Sequence, residues 1–180
     1  SGGSGAIITG GTFNNGNLNL VNNTGNTVSV AIPDRIWTTG STGSFSIKAI
    51  NNTTTNATAS YAVAEGSATT ATGTASHAEG QATTASGIAS HAEGSLTTAS
   101  ANYSHAEGST NISSGIYSHT EGTQNIASGL ASHAEGQATT AGGIGSHAEG
   151  FGSIASGNYS HAEGSITIAS GDYSHAEGHG

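Results

Sequence analysis

The chain has 180 residues, of which 33% are apolar, with three Phe, one Trp, no Met and no Cys. That inventory is too poor in bulky apolar side chains to fill the broad core of an ordinary domain, and it leaves no disulfide framework or thiolate metal site. Two basic residues, Arg35 and Lys48, stand against eleven acidic ones for a net charge of -9, so phosphate backbones and anionic lipid repel the chain, and nucleic-acid or membrane-surface binding is not expected.

Much Gly, Ser, Thr and Asn ordinarily suggests disorder, but disordered chains tend to be rich in Pro and charge. Here there is one Pro, and the small residues recur with a strict period. No apolar run approaches the roughly twenty residues of a membrane span, so membrane insertion is not expected. Ser1-Gly2-Gly3-Ser4-Gly5 is neither a signal peptide nor an initiator start; residues 1–5 read as a linker in a piece of something longer.

Residues 6–45 do not repeat and predict a small β-rich module. Leu18 and Leu20, then Val28, Val30 and Ile32, alternate as short strands do, with turns at Asn15-Gly16 and Asn22-Asn23-Thr24-Gly25. Pro33-Asp34 interrupts them, and Ser44 to Ile50 alternates again. Residues 46–59 read as a degenerate first coil, because Thr54-Thr55-Asn56-Ala57-Thr58 aligns with Ala68-Thr69-Thr70-Ala71-Thr72 but no Glu-Gly pair follows.

From residue 60 to 180 a fixed period of fourteen overrides local propensity. His77, His91, His105, His119, His133, His147, His161 and His175 fall on it without slippage, and Val63 takes the same place one repeat earlier. Two residues after each comes Glu65, Glu79, Glu93, Glu107, Glu121, Glu135, Glu149, Glu163 or Glu177, always followed by Gly. A second block, typified by Thr97-Thr98-Ala99-Ser100, ends in Gly in every coil from Gly73 to Gly171 except at Ala101.

Each coil therefore offers two stretches of about five residues, which is strand length, with Gly supplying the backbone freedom of the corners. Alternation along a strand puts Ser90, Ala92 and Gly94 on one face and His91 and Glu93 on the other; likewise Thr97 and Ala99 oppose Thr98 and Ser100. The inner faces are lined by tiny side chains, which predicts a flattened roll that buries little apolar area. Larger residues point outwards: Ile112, Ile126, Ile154 and Ile168 on the second strand, and Ile88, Tyr103, Tyr117, Leu130, Ile144, Tyr159 and Tyr173 near a corner. Such rows are expected to be covered by another copy of the chain.

The S-H-A-E-G repeat, over residues 60–178, resembles the head repeats of trimeric autotransporter adhesins, and resembles still more the variant found in bacteriophage tail fibres. The resemblance implies an all-β, left-handed parallel β-roll and a homotrimer, with a host or cell-surface receptor, a glycan among the candidates, and an extracellular location on a virion or a bacterial surface. In adhesin heads the two variable positions of the Ser-x-Ala-x-Gly strand are commonly Val and Ile and face neighbouring subunits; here they are His and Glu. The segment Ile8-Thr9-Gly10-Gly11-Thr12-Phe13 through Gly25 also resembles the N-terminal stretches of phage fibre proteins.

Three readings of the His and Glu rows compete. In the favoured one, His77, Glu79, His91, Glu93, His105, Glu107, His119, Glu121, His133, Glu135, His147, Glu149, His161, Glu163, His175 and Glu177 line subunit contacts as a ladder in which His answers Glu. The second makes them a solvated wall. The third makes them metal sites, since converging imidazoles suit Zn or Ni, but no Asp or Cys completes the set; no metal and no cofactor is assigned. No enzyme is expected, because the Ser before each His faces the other side of its strand and cannot pair with it as a nucleophile. A remote alternative is ice binding, suggested by Thr69-Thr70, Thr83-Thr84, Thr97-Thr98 and Thr139-Thr140. Seven Asn sequons, at 22, 51, 52, 56, 102, 111 and 158, are expected by chance in such a composition.

Overall fold

The structure, a computed structural model, describes residues 8–14, 17–22, 27–31, 37–40, 45–49 and 55–180. The expected linker, the turns at Asn15-Gly16 and Asn23-Thr24-Gly25, the Pro33-Asp34 break and residues 50–54 lie outside the described residues. The chain divides into two compact units, 1–36 and 37–180.

In the first unit, β1 (Ile8–Asn14), β2 (Asn17–Asn22) and β3 (Thr27–Ala31) form an antiparallel sheet in that order. The register sets Leu18 opposite Val30 and Leu20 opposite Val28, so the alternating apolar positions meet across the strands. The β1–β2 register slips once, between Ile8 and Gly10.

The second unit opens with β4 (Trp37–Thr39), which pairs antiparallel with β5 (Ile47–Ala49). β5 then pairs in parallel with Val63–Ala64, and every later pairing is parallel. One ladder of nine strands runs from Asn56–Ala57 to Ile168–Ala169; the other, of eleven, runs from β4 to His175–Ala176. Each residue pairs with its own counterpart one repeat later, as in Thr84 with Thr98 and His91 with His105. A third line of single bridges joins Gln81 to Ser95 and Ser95 to Ser109. The result is an all-β parallel solenoid of about nine coils; the described residues contain no helix, so none is long and apolar enough to cross a membrane.

The paired strands are shorter than expected, two residues each, as at His91–Ala92 and Thr98–Ala99. The reason lies in the backbone between them. Every seventh residue adopts a left-handed conformation, with φ of 50° at Ala89, 58° at Leu96, 59° at Tyr103 and 57° at Thr110. There the peptide turns over. The N–H groups of Ala89 and Leu96 donate back to Thr74 O (2.8 Å) and Gln81 O (2.9 Å) of the preceding coil. Those of His91 and Glu93 donate forward, to Ser104 O (3.0 Å) and Ala106 O (2.9 Å). A left-handed residue other than Gly costs of order 1 kcal/mol or more, and bonding to the coils on both sides holds it in place.

Corner glycines accordingly do two jobs. Gly87 is not left-handed; it is required because a Cβ there would stand 1.8 Å from the carbonyl oxygen of Ala101 in the next coil. Gly94 meets both demands, with φ of 97° and only 2.1 Å from a Cβ to Gly108 O. It is exposed at a corner instead of sharing the inner face of Ser90 and Ala92, because the chain has already turned.

The interior is a stack of Ala methyls, Ala64, Ala71, Ala78, Ala85 and their successors, closed by buried Ser and Thr. Asn111 and Asn125 are the largest fully buried side chains. They satisfy themselves along the axis: Asn111 Oδ1 accepts from the Asn125 N–H (2.7 Å), Asn125 Oδ1 accepts from the Thr139 N–H (2.8 Å), and Asn125 Nδ2 donates to Gly136 O (2.8 Å). Buried amides paired this fully stabilise the coil, whereas a truncated one would leave several backbone groups without partners.

The Gly94→Ala substitution combines left-handed strain with a backbone clash and is expected to cost at least about 2 kcal/mol in a denaturant titration. Gly142→Ala, where the nearest atom to a new Cβ is 3.8 Å away, is expected to stay within about 0.5 kcal/mol.

Candidate functional site

The His and Glu rows follow from the alternation of their strand. Ser90 and Ala92 point inward and are buried, so His91 and Glu93 must point outward. All sixteen residues expected at subunit contacts stand on this outer wall, where most of their side chains are about a third exposed in the single chain, as with His91 at 35% and Glu79 at 33%.

Parallel in-register pairing brings each imidazole over the next. Neighbouring His rings from His77 to His161 stack with centroids 4.8 Å apart and planes within 6°. Each His also leans toward the Glu of the preceding coil, with Nε2 to Oε1 distances of 3.1 Å for His91–Glu79, 3.0 Å for His147–Glu135 and 3.3 Å for His77–Glu65.

The contacts alternate in quality. His91, His119 and His147 make hydrogen bonds to Glu79, Glu107 and Glu135. Nε2 of His77, His105, His133 and His161 is enclosed yet lacks hydrogen-bond geometry to any partner, although the preceding Glu lies within ion-pair distance. Well aligned and less well aligned His–Glu contacts thus succeed each other coil by coil from His77 to His161.

Burial holds the His105 and His133 imidazoles below their ordinary pKa, and the imidazoles stacked on either side push in the same direction, against the opposing pull of nearby Glu. For Glu79, burial acts upward, but the hydrogen bond from His91 and the charge of His77 outweigh it, and the carboxyl lies below its ordinary value.

Ser90 Oγ donates to Gly87 O at 2.8 Å inside the coil, away from His91, so no Ser-His pair forms there. Of each Thr pair only the second faces out: Thr69, Thr83, Thr97 and Thr139 are fully buried. The outward row on that ladder is then Thr70, Thr84, Thr98, Ile112, Ile126, Thr140, Ile154 and Ile168.

The remaining outer surface carries uncovered apolar rows. Ile88, Ile116, Leu130 and Ile144 are 43–47% exposed, and Tyr103, Tyr117, Tyr159 and Tyr173 are 51–79% exposed. The Tyr rings stack in pairs, Tyr103 on Tyr117 at 5.0 Å and Tyr159 on Tyr173 at 5.5 Å. Reading by fourteens overlooked Leu96 and Ile166, which are 57% and 51% exposed and occupy the other left-handed corner. The signal for them was present, since each stands seven residues before a Tyr, at 103 and 173.

No protein-family profile matches the chain, and no curated protein does.

Acid is expected to weaken the fold. With folded pKa values below about 6.5, His105 and His133 bind fewer protons folded than unfolded, so their contribution is complete above about pH 6.5 and is lost as pH falls toward the folded values. The lowered Glu79 carboxyl acts in the same sense at more acid pH. Thermal melting followed by circular dichroism is expected to show Tm level from about pH 8 to about pH 7 and falling below that toward about pH 5; a flat profile down to about pH 5 would remove the His wall from any part in stability.

Proposed function

We propose that the chain is a structural and adhesive segment of a homotrimeric fibre, a bacteriophage tail fibre acting in host-surface attachment, with the solenoid as a stiff, non-catalytic spacer. Its coils are fourteen residues long and left-handed in this reading, as in the adhesin and tail-fibre repeats that S-H-A-E-G resembles. The observation that carries it is the pairing of an Ala-lined interior with rows of uncovered Ile, Leu and Tyr on the outside. At roughly 25 cal/mol per Å² a methyl-lined core contributes little, and neighbouring chains that cover those rows supply what one coil stack cannot. His meeting Glu between chains then extends the pairing already made within each chain.

One observation favours a second reading, the head of a bacterial trimeric adhesin. Val63 occupies the His position in its coil, as Val commonly does in adhesin heads. Both readings give a surface-exposed trimer with a receptor on the host or target cell.

Sedimentation equilibrium of the whole chain is expected to give three times 17.4 kDa, about 52 kDa; a folded 17.4 kDa particle in dilute solution would overturn the proposal. Ile126→Lys replaces a side chain that is 38% exposed in the single chain. It should shift the particle toward smaller mass and lower Tm together, because an assembled interface would bury an unpaired charge and the coils rely on their neighbours for stability.

A further inference from the structure

The alternation along the His wall has a chemical use. In successive coils, one imidazole hydrogen-bonds a carboxylate while its neighbour presents an enclosed Nε2 that is near the preceding Glu but less well aligned to it. His91 bonds Glu79 beside His77, and His147 bonds Glu135 beside His133. In each of these sets, and in His161, Glu163 and His175 and in Glu107, His119 and Glu121, one ligand atom per residue lies within 4.8 Å of the other two. Two nitrogens and one carboxylate oxygen, or one nitrogen and two oxygens, are donor sets that borderline divalent ions accept.

We propose that the His and Glu wall binds divalent transition-metal ions of the zinc class between adjacent coils, at up to four positions per chain. The count follows from the sequence of sets. The four named above share no residue, whereas the fifth, His91, Glu93 and His105, competes with the first for His91.

The geometry fits with a small adjustment. Two ligands on a tetrahedral zinc at about 2.0–2.1 Å lie about 3.3 Å apart, and the Nε2 to Oε1 separations of 3.1 Å at His91–Glu79 and 3.0 Å at His147–Glu135 are close to that. Three atoms mutually within 4.8 Å share a point no farther than about 2.8 Å from each. With the ion bonded to the closer pair, a third atom as far as 4.8 Å from both must lean inward by up to about 1.1 Å to reach bonding distance, which rotation about its χ angles supplies without moving the ladder. The positions left open on the ion go to water, so the site needs no second chain, and its failure or success is separate from the oligomeric state. An ion there would also satisfy the enclosed nitrogens of His77, His133 and His161.

The test uses the whole chain, made without a polyhistidine tag and stripped with chelator. After equilibration with zinc at about 100 µM and gel filtration, elemental analysis is expected to find between one and four zinc ions per chain. The combined variant Glu79→Gln, Glu93→Gln, Glu121→Gln, Glu135→Gln and Glu163→Gln removes one carboxylate from each of the five sets and should lower the bound zinc at least tenfold while the circular dichroism spectrum is kept. Should that variant not fold, cobalt added to the unaltered chain decides: intense visible bands of tetrahedral cobalt support the sites. Fewer than about half a zinc per chain in the unaltered protein, unchanged zinc in a folded variant, or a weak octahedral cobalt spectrum would each overturn the proposal.

Discussion

Between Gly94 and Gly108 the backbones of successive coils lie so close that one added carbon on the first would stand 2.1 Å from the carbonyl oxygen of the second. The same approach recurs at Gly80, Gly122, Gly136, Gly150 and Gly164. Coils can share hydrogen bonds along their whole length only because nothing intervenes at these corners, and the parallel ladders require that sharing. The repeat is thus a device for bringing identical backbones into register, and the small interior is its consequence. Side chains larger than Asn find no room between walls drawn so near.

A solenoid built this way places every residue beside its own copy. Inside, that is favourable: Asn111 bonds to Asn125, and Asn125 to Thr139, so these polar side chains are satisfied along the axis. Outside, it is hazardous. A row of carboxylates about 5 Å apart would repel itself, and here each Glu from Glu65 to Glu163 is answered by the His of the following coil, as Glu79 is by His91. The stacked imidazoles carry the same hazard when protonated, and burial together with the neighbouring His lowers the pKa of His105 and His133.

The outer rows link this architecture to the fibre reading. Tyr103, Tyr117, Tyr159 and Tyr173 sit at left-handed backbone positions, projecting from the corner with more than half of their surface uncovered. Backbone strain at those corners is tolerated because each N–H there reaches the preceding coil, as Tyr103 N–H reaches Ile88 O at 2.8 Å. Corners can therefore bear large side chains while the walls bear small ones inside. A thin stack with bulky ridges is a form that gains stability by association.

Period, strand order and the inward or outward sense of each residue could be read from the chain alone, because His91, Glu93, Ser90 and Ala92 recur at fixed spacing and a strand alternates its side chains. Fourteen-residue self-similarity also implies parallel pairing of like with like. Other features depend on which groups approach across coils, and no single repeat contains that information. The two-residue strands, the left-handed turn at every seventh position, the distinction between Gly87 as a point of close approach and Gly94 as a true turn, and the burial of one Thr from each pair emerge only when coils stack. The alternation in how well each imidazole is aligned to its Glu is the clearest case. His77 and His91 occupy identical places in the repeat, and only the arrangement of their neighbours in three dimensions aligns the His91–Glu79 contact as a hydrogen bond and leaves the His77–Glu65 contact, at 3.3 Å, less well aligned.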